Sequence, residues 1–142
     1  MQPKPEQYTE NAWAAIISAQ NIAQVNNHQK IETEHLFLAL LRKDDLSKRI
    51  LKKAGCSVQG LTANLEKFIS NEPKLKQRPD SLFLGKSLEE VLYNADHQKN
   101  AFQDSYISVE HLLIAIAEDE RCGRRLFEQE NTGKQKLLSI IK

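Results

Sequence analysis

Residues Ile31 to Leu40 read IETEHLFLAL, and 76 positions further on Ile107 to Ile116 read ISVEHLLIAI. Ile31, Glu34, His35, Leu36 and Ala39 recur as Ile107, Glu110, His111, Leu112 and Ala115. The offset holds without a gap on both sides. Upstream, Ala19 falls on Ala95; downstream, KRIL at Lys48 falls on RRLF at Arg124, and Gln59 and Leu61 on Gln135 and Leu137. A match of this length points to a duplicated supersecondary unit rather than a short solenoid motif.

Each copy reads as four helices, so the expected fold is all-α: two four-helix repeats related by a pseudo-twofold and packed as one domain. Thr9 is a good N-cap for a first helix over Glu10 to Asn26, with Ala12, Ile16, Ala19, Ile22 and Ala23 on one face. The second, about Thr33 to Arg42, carries LFLALL and is apolar almost all round, which places it inside a bundle. A third, from about Leu46 to Ala54, stops at Gly55, a residue suited to a left-handed cap. The fourth, about Gln59 to Ser70, presents Leu61, Leu65, Phe68 and Ile69.

The second copy repeats the plan. Ser87 opens SLEE, which reads as a capping box with Glu90, and its helix runs to about Phe102, with Leu88, Val91 and Leu92 facing inward. Ser108 caps the next helix. A third covers about Arg121 to Gln129, with Asn131 where Gly55 stood, and Thr132 starts the last. Repeat one thus spans about 9–70 and repeat two about 87–142. The loop 71–86 between them is broken by Pro73, Pro79 and Gly85. No stretch alternates with period two, so strands are not expected.

Composition excludes several classes of function. The chain has 142 residues, 40% hydrophobic and 27% charged, with a net charge of +1. No global field favours nucleic acid or an anionic membrane. The apolar runs Leu36 to Leu41 and Leu112 to Ala117 are too short to span a bilayer. The opening MQPKPEQYTE lacks the apolar core of a secretory signal, and a cytoplasmic setting is expected. Cys56 and Cys122 stand alone, so neither a disulfide framework nor a zinc knuckle is indicated.

Gly85-Lys86-Ser87 looks like the end of a phosphate-binding loop. That loop needs a glycine at position 80, where Asp80 would repel the phosphate, and a preceding strand. No nucleotide site is expected in this chain. His35 and His111 each follow a glutamate, but neighbours on a helix point about 100° apart, so a metal pairing is not indicated. Neither cysteine has an identifiable base, which leaves a small His–Cys hydrolase without support. Lys48, Arg49, Lys52 and Lys53 form a basic strip, read as a solvated helix face. What remains is a binding module, and the seam between two similar bundles is a natural peptide groove.

YTENAWAAIISAQ, IETEHLFLALL, RILKKAG, SLEEVLYNAD, ISVEHLLIAIAED and GRRLF together resemble the amino-terminal domain of Clp-type AAA+ unfoldases, nearest the ClpB disaggregase branch and cyanobacterial in look. The resemblance covers about Glu6 to Lys142. It implies a domain that engages unfolded or aggregated polypeptide, or an adaptor, and hands it to an ATPase ring. ATP and magnesium would then be bound by modules absent from this chain. The parent would be a hexamer, the isolated domain a monomer, and neither nucleic acid nor membrane a partner. The resemblance assigns substrate handling to Thr9, Asp104 and Glu110. It also places Asn94, Gln98 and His111 where relatives often carry apolar groove residues, and Lys99 where copy one has Ala23, implying a more polar groove with weakened or altered client binding. The competing expectation is a stand-alone Clp-like accessory protein that docks on a Clp chaperone or protease.

Overall fold

The computed structural model describes residues 3–141. Thr9 caps α1 (Glu10–Val25), its hydroxyl accepting from the Ala12 N–H at 3.3 Å. Ala12, Ala15, Ala19 and Ala23 line the inner face of α1 with Ile16 and Ile22, and these small side chains let α2 (Thr33–Lys43) approach closely. Every residue of α2 from Thr33 to Leu41 is buried. Asp44 caps α3 (Asp45–Lys53), accepting from both the N–H and the hydroxyl of Ser47 at 2.7 Å. Ser57 caps α4 (Val58–Ser70) through the Gly60 N–H. The second copy supplies α5 (Lys86–Ala101), α6 (Val109–Ile116), α7 (Gly123–Gln129) and α8 (Lys134–Ile141). α2 sits at the centre, touching α1, α3, α4, α5, α6 and α7. Phe37 of α2 stacks on Phe127 of α7 across the core, ring centroids 5.0 Å apart.

The backbone carries the duplication more plainly than the side chains do. Four described residues have positive φ: Asn27 (60°), Gln103 (59°), Gly55 (84°) and Asn131 (57°). They form two pairs, each 76 positions apart. A helix that ends in the left-handed region in one copy does so in the other, and Asn131 takes the place of Gly55 as expected. Cys56 and Thr132 are also 76 apart, and they touch, the thiol meeting the hydroxyl at 3.2 Å. Equivalent positions in mutual contact lie on the axis that relates the copies.

Several expectations need correction. Two short parallel pairings are present. β1 (Lys30–Ile31) pairs with β2 (Phe83–Leu84), setting Ile31 opposite Leu84, and Tyr8 pairs with Ile107. These are one feature with the copies exchanged. The Gly85 N–H donates to the Ile31 carbonyl at 2.8 Å and the Thr9 N–H to the Ile107 carbonyl at 2.9 Å. Each copy's first helix is thus stitched at its entrance to the other copy. Ladders of two residues are too short to leave a period-two signal.

Ser87 does not cap α5. Gly85 occupies the N-cap, and the Ser87 hydroxyl donates to Glu32 Oε1 at 2.7 Å while accepting from the Thr33 N–H at 3.1 Å. A side chain at position 85 would overlap the Glu32 carboxylate, which itself accepts from the Ser87 N–H at 3.2 Å and caps α5 from the other copy. α7 begins at Gly123 rather than Arg121, which frees Arg121 for other partners, and α8 begins at Lys134 rather than Thr132.

At Gly123 a Cβ would overlap the carbonyl oxygen of Ile116, backbone that cannot swing aside. Gly123→Ala is expected to separate α6 from α7 and cost about 1–3 kcal/mol, the usual range for overpacking. Urea unfolding, with the midpoint shifting at constant slope, measures this.

Candidate functional site: a trough across the seam

α1 packs on α2 and α5 packs on α6, which leaves the outer faces of α1 and α5 on either side of an apolar trough. Two adjoining hollows of about 330 Å³ each form it. Trp13, Ile16, Ile17, Gln20, Phe83, Leu84 and Leu88 wall the first; Leu84, Lys86, Glu89, Glu90, Leu92 and Tyr93 wall the second, and Pro3 borders both. Ile17, Phe83 and Tyr93 are 49%, 47% and 60% exposed, so large apolar surface gathers around this concavity. The lining contains three equivalent pairs 76 apart: Trp13 with Glu89, Ile16 with Leu92, and Ile17 with Tyr93. A surface built from matching positions of both copies straddles the axis between them.

The six residues singled out in the sequence lie elsewhere. Thr9 caps α1 and binds the Ile107 carbonyl. Asp104, half exposed, meets His111 Nε2 at 2.9 Å. His111 is almost fully buried, and its Nδ1 accepts from the Ser108 N–H at 2.9 Å, forming a capping box at the start of α6. Thr9, Asp104 and His111 therefore gather around one loop. Asn94 and Gln98 are half-buried on α5, and neither lines the trough. Glu110 points into a different hollow, between α3, α6 and α8, on which none of the other five lies.

The same capping device recurs in copy one with altered chemistry. His35 Nδ1 accepts from the Glu32 N–H at 2.9 Å, and its Nε2 meets His28 Nδ1 at 3.0 Å. His28 stands 76 positions before Asp104. In both copies the backbone donor occupies Nδ1 and so leaves the ring proton on Nε2. His28, His35 and Glu72 offer donor atoms within 4.8 Å of one another, a spacing that suits a metal ion. A metal on His35 Nε2 would have to displace the proton that the cap places there, so cap and metal compete.

Beside this pair lies a cluster of acids around one arginine. Glu34 is fully buried, and Arg121 grips it with two bonds, Nε at 2.9 Å and Nη2 at 3.0 Å. Arg121 also pairs with Glu72, at a normal charge-assisted distance or below, and reaches Glu32 at 3.8 Å. Burial raises the carboxyl of Glu34, but hydrogen bonds from Arg121 and Glu72 outweigh it and hold Glu34 below its ordinary value. Burial, then the neighbouring Glu34, push Glu72 from 4.5 up to about 8. Burial lowers His35 to about 4. Burial also raises both thiols, so Cys56 and Cys122 are inert as nucleophiles. Sequence reading missed this cluster. The available signal was Glu34 itself, a carboxylate opening a helix that is otherwise apolar.

The described residues define a small all-helical domain built as a paired repeat, with a trough along the seam between the copies. The family model for the Clp repeat N-terminal domain matches residues 7–130, and this chain belongs to that family. It is 49% identical over 144 residues to the chaperone protein ClpB 1 of Parasynechococcus marenigrum, covering 99% of this chain and 17% of that protein. It is 42% identical to the chaperone protein ClpB of Prochlorococcus marinus, covering 99% and 16%. The chain thus spans about a sixth of the length of these relatives. Its fold is similar to the Hsp104 N-terminal domain from Candida albicans, with a TM-score of 0.83 at 21% identity over 94% of this chain and 88% of that one. It is also similar to a ClpV N-domain solved in complex with a VipB peptide, with a TM-score of 0.70 at 17% identity over 99% and 98%.

Glu72 and His35 give opposite pH dependences. With a folded value near 8 against an ordinary 4.5, Glu72 lends stability that is complete below 4.5 and is lost as pH rises towards 8. His35, near 4 against 6.5, costs stability as pH falls from 6.5 to 4. Between pH 6.5 and 8 Glu72 acts alone. The melting temperature is expected to fall by a few degrees over that interval, and Glu72→Gln to flatten the fall, as followed by circular dichroism.

Proposed function

We propose that this chain is the recruiting domain of an ATP-driven chaperone, holding unfolded or aggregated polypeptide, or an adaptor, in the trough between α1 and α5. The observation that carries this reading is the cluster of exposed apolar side chains, Ile17, Phe83 and Tyr93, around one concave surface astride the seam. The peptide bound by a ClpV N-domain of the same fold supports it, as do the names of the ClpB relatives. The domain itself performs no reaction. An ATPase ring, with its ATP and magnesium, belongs to the part of such chaperones that lies outside this chain, and the setting is cytoplasmic. No helix among the described residues is long and apolar enough to cross a membrane.

Thr9, Asp104, Asn94 and Gln98 form a second, polar margin in this proposal, set on α5 and the loop that joins it to the cap of α1, with the buried His111 holding Asp104 in place. Polar side chains there lower affinity for apolar clients. Each large apolar side chain that fails to become buried forgoes roughly 1.5–3 kcal/mol.

Titration of the chain with an unfolded model protein, followed by backbone amide shifts, tests the reading. Shifts are expected to concentrate on α1, β2 and α5. Ile17→Asp and Tyr93→Asp are each expected to weaken binding by at least about tenfold, one such lost contact being worth more than 1.4 kcal/mol. Asn94→Leu is expected to strengthen it. Shifts confined to other faces, with Ile17→Asp and Tyr93→Asp binding normally, would remove the trough from the mechanism.

A further inference from the structure

A second surface, independent of the trough, is built by α3, α6 and α8. These three helices pack on one another and enclose an open hollow of about 640 Å³, larger than either half of the trough. Its apolar part consists of Leu46 and Ile50 from α3 with Ile140 and Ile141 from α8. Ile50 is buried and the other three are half-buried, so the hollow offers side-chain-sized apolar contact rather than a flat face.

Its rim is basic. Arg49, Lys52 and Lys53 line it and are exposed, and among the described residues none of them has an acidic partner. Some surface cations are paired, Arg42 with Glu66, Lys99 with Asp96 and Lys134 with Glu118, and others among the described residues, such as Lys48 and Lys136, are not; what sets Arg49, Lys52 and Lys53 apart is that they rim an apolar hollow. Lys52 and Lys53 also stand in the last turn of α3, where cations suit the helix dipole. That accounts for their presence on the helix but not for the apolar hollow beneath them. Glu110, in the first turn of α6, is the single acid of the lining.

We propose that this hollow docks an acidic, apolar-anchored segment of a partner polypeptide. Leucine-like side chains seat on Leu46, Ile50, Ile140 and Ile141, and carboxylates meet Arg49, Lys52 and Lys53. The floor decides against nucleic acid. A phosphate backbone has nothing to place on four aliphatic side chains, and no aromatic ring lines the hollow for a base to stack on. Glu110 opposes a uniformly acidic segment, so it sets the limit of the acidic stretch and the direction in which the segment lies. The three unpaired cations also steer encounter, which makes the association salt-dependent.

The test uses the 142-residue chain and a short fluorescein-labelled peptide in which pairs of leucine alternate with pairs of glutamate, read by fluorescence anisotropy. Binding is expected, and it weakens as salt is added. The double variant Arg49→Glu, Lys53→Glu, both exposed and outside the core, is expected to weaken it by about tenfold. Glu110→Gln is expected to strengthen it, and Ile17→Asp in the trough to leave it unchanged. A matched peptide with lysine for glutamate is expected not to bind, and one with serine for leucine to bind less. Equal binding of the lysine peptide, or retention of full affinity in the double variant, overturns the proposal. Loss on Ile17→Asp instead assigns the peptide to the trough and also overturns it. So does self-association of the chain, abolished by the double variant and competing with the peptide, because the occupant would then be a second copy.

Discussion

The buried carboxylate of Glu34 is the constraint around which the copies are arranged. It opens α2, the helix that touches six others, at a point with no exposure to solvent. A lone charge there would cost several kcal/mol. Arg121, which precedes α7 in the other copy, supplies a two-pronged partner, and Glu72, just beyond α4, shares it. Satisfying one carboxylate therefore fixes three distant pieces of chain. Such a group adds little net stability compared with an apolar core of the same shape, whereas removing one partner typically costs about 3–5 kcal/mol. Arg121 is one-third exposed, which moderates that figure here. The cluster ties the start of α2 in one copy to the segment before α7 in the other.

The duplication has kept its backbone and exchanged its chemistry. Residues 27 and 103, and 55 and 131, share a left-handed conformation although the side chains differ. Position 28 is histidine and position 104 aspartate, yet each receives the Nε2 side of a histidine that caps the following helix. Glu34 is buried and clamped, while its counterpart Glu110 faces an open hollow. Thr9 caps with its hydroxyl, whereas its counterpart Gly85 has no side chain because Glu32 fills the space. Hydrogen-bond geometry is demanding about where a donor sits and tolerant about which acceptor meets it, which is why the frame persisted while its decoration drifted.

Helices were legible in the sequence because burial on one face of a helix writes a period of three to four residues, and α1 and α4 follow it closely. The position of α2 was legible from its lack of a polar face. The crossed pairings of Tyr8 with Ile107 and Ile31 with Leu84 left no signal, since two residues cannot display alternation. Ser87 illustrates a second blind spot. Ser-Leu-Glu-Glu is a good capping sequence, and only the approach of Glu32 from 55 positions away turns its hydroxyl to another use. The seam was legible as a location for a groove, but the residues that wall the trough were not. Ile17, on an amphipathic helix, and Phe83, in the joining loop, read as stray exposed apolar residues until the opposite wall is in place.

Under the proposed function, a trough that lies across a pseudo-twofold axis meets a polypeptide that has a direction. If the two halves of the lining were identical, a peptide could enter either way round and would gain nothing from choosing. Here the equivalent positions differ: Trp13 faces the duty of Glu89, and Ile17 that of Tyr93. The α1 side is wholly apolar at these positions, and the α5 side presents a carboxylate and a phenol, with Lys86 beside them. The difference lets an apolar run settle against α1 while hydrogen-bonding and charged groups settle against α5. Divergence of the copies thus turns a symmetric seam into an oriented one, and under the proposed recruiting role that orientation would let the domain pass a chain onward rather than merely hold it.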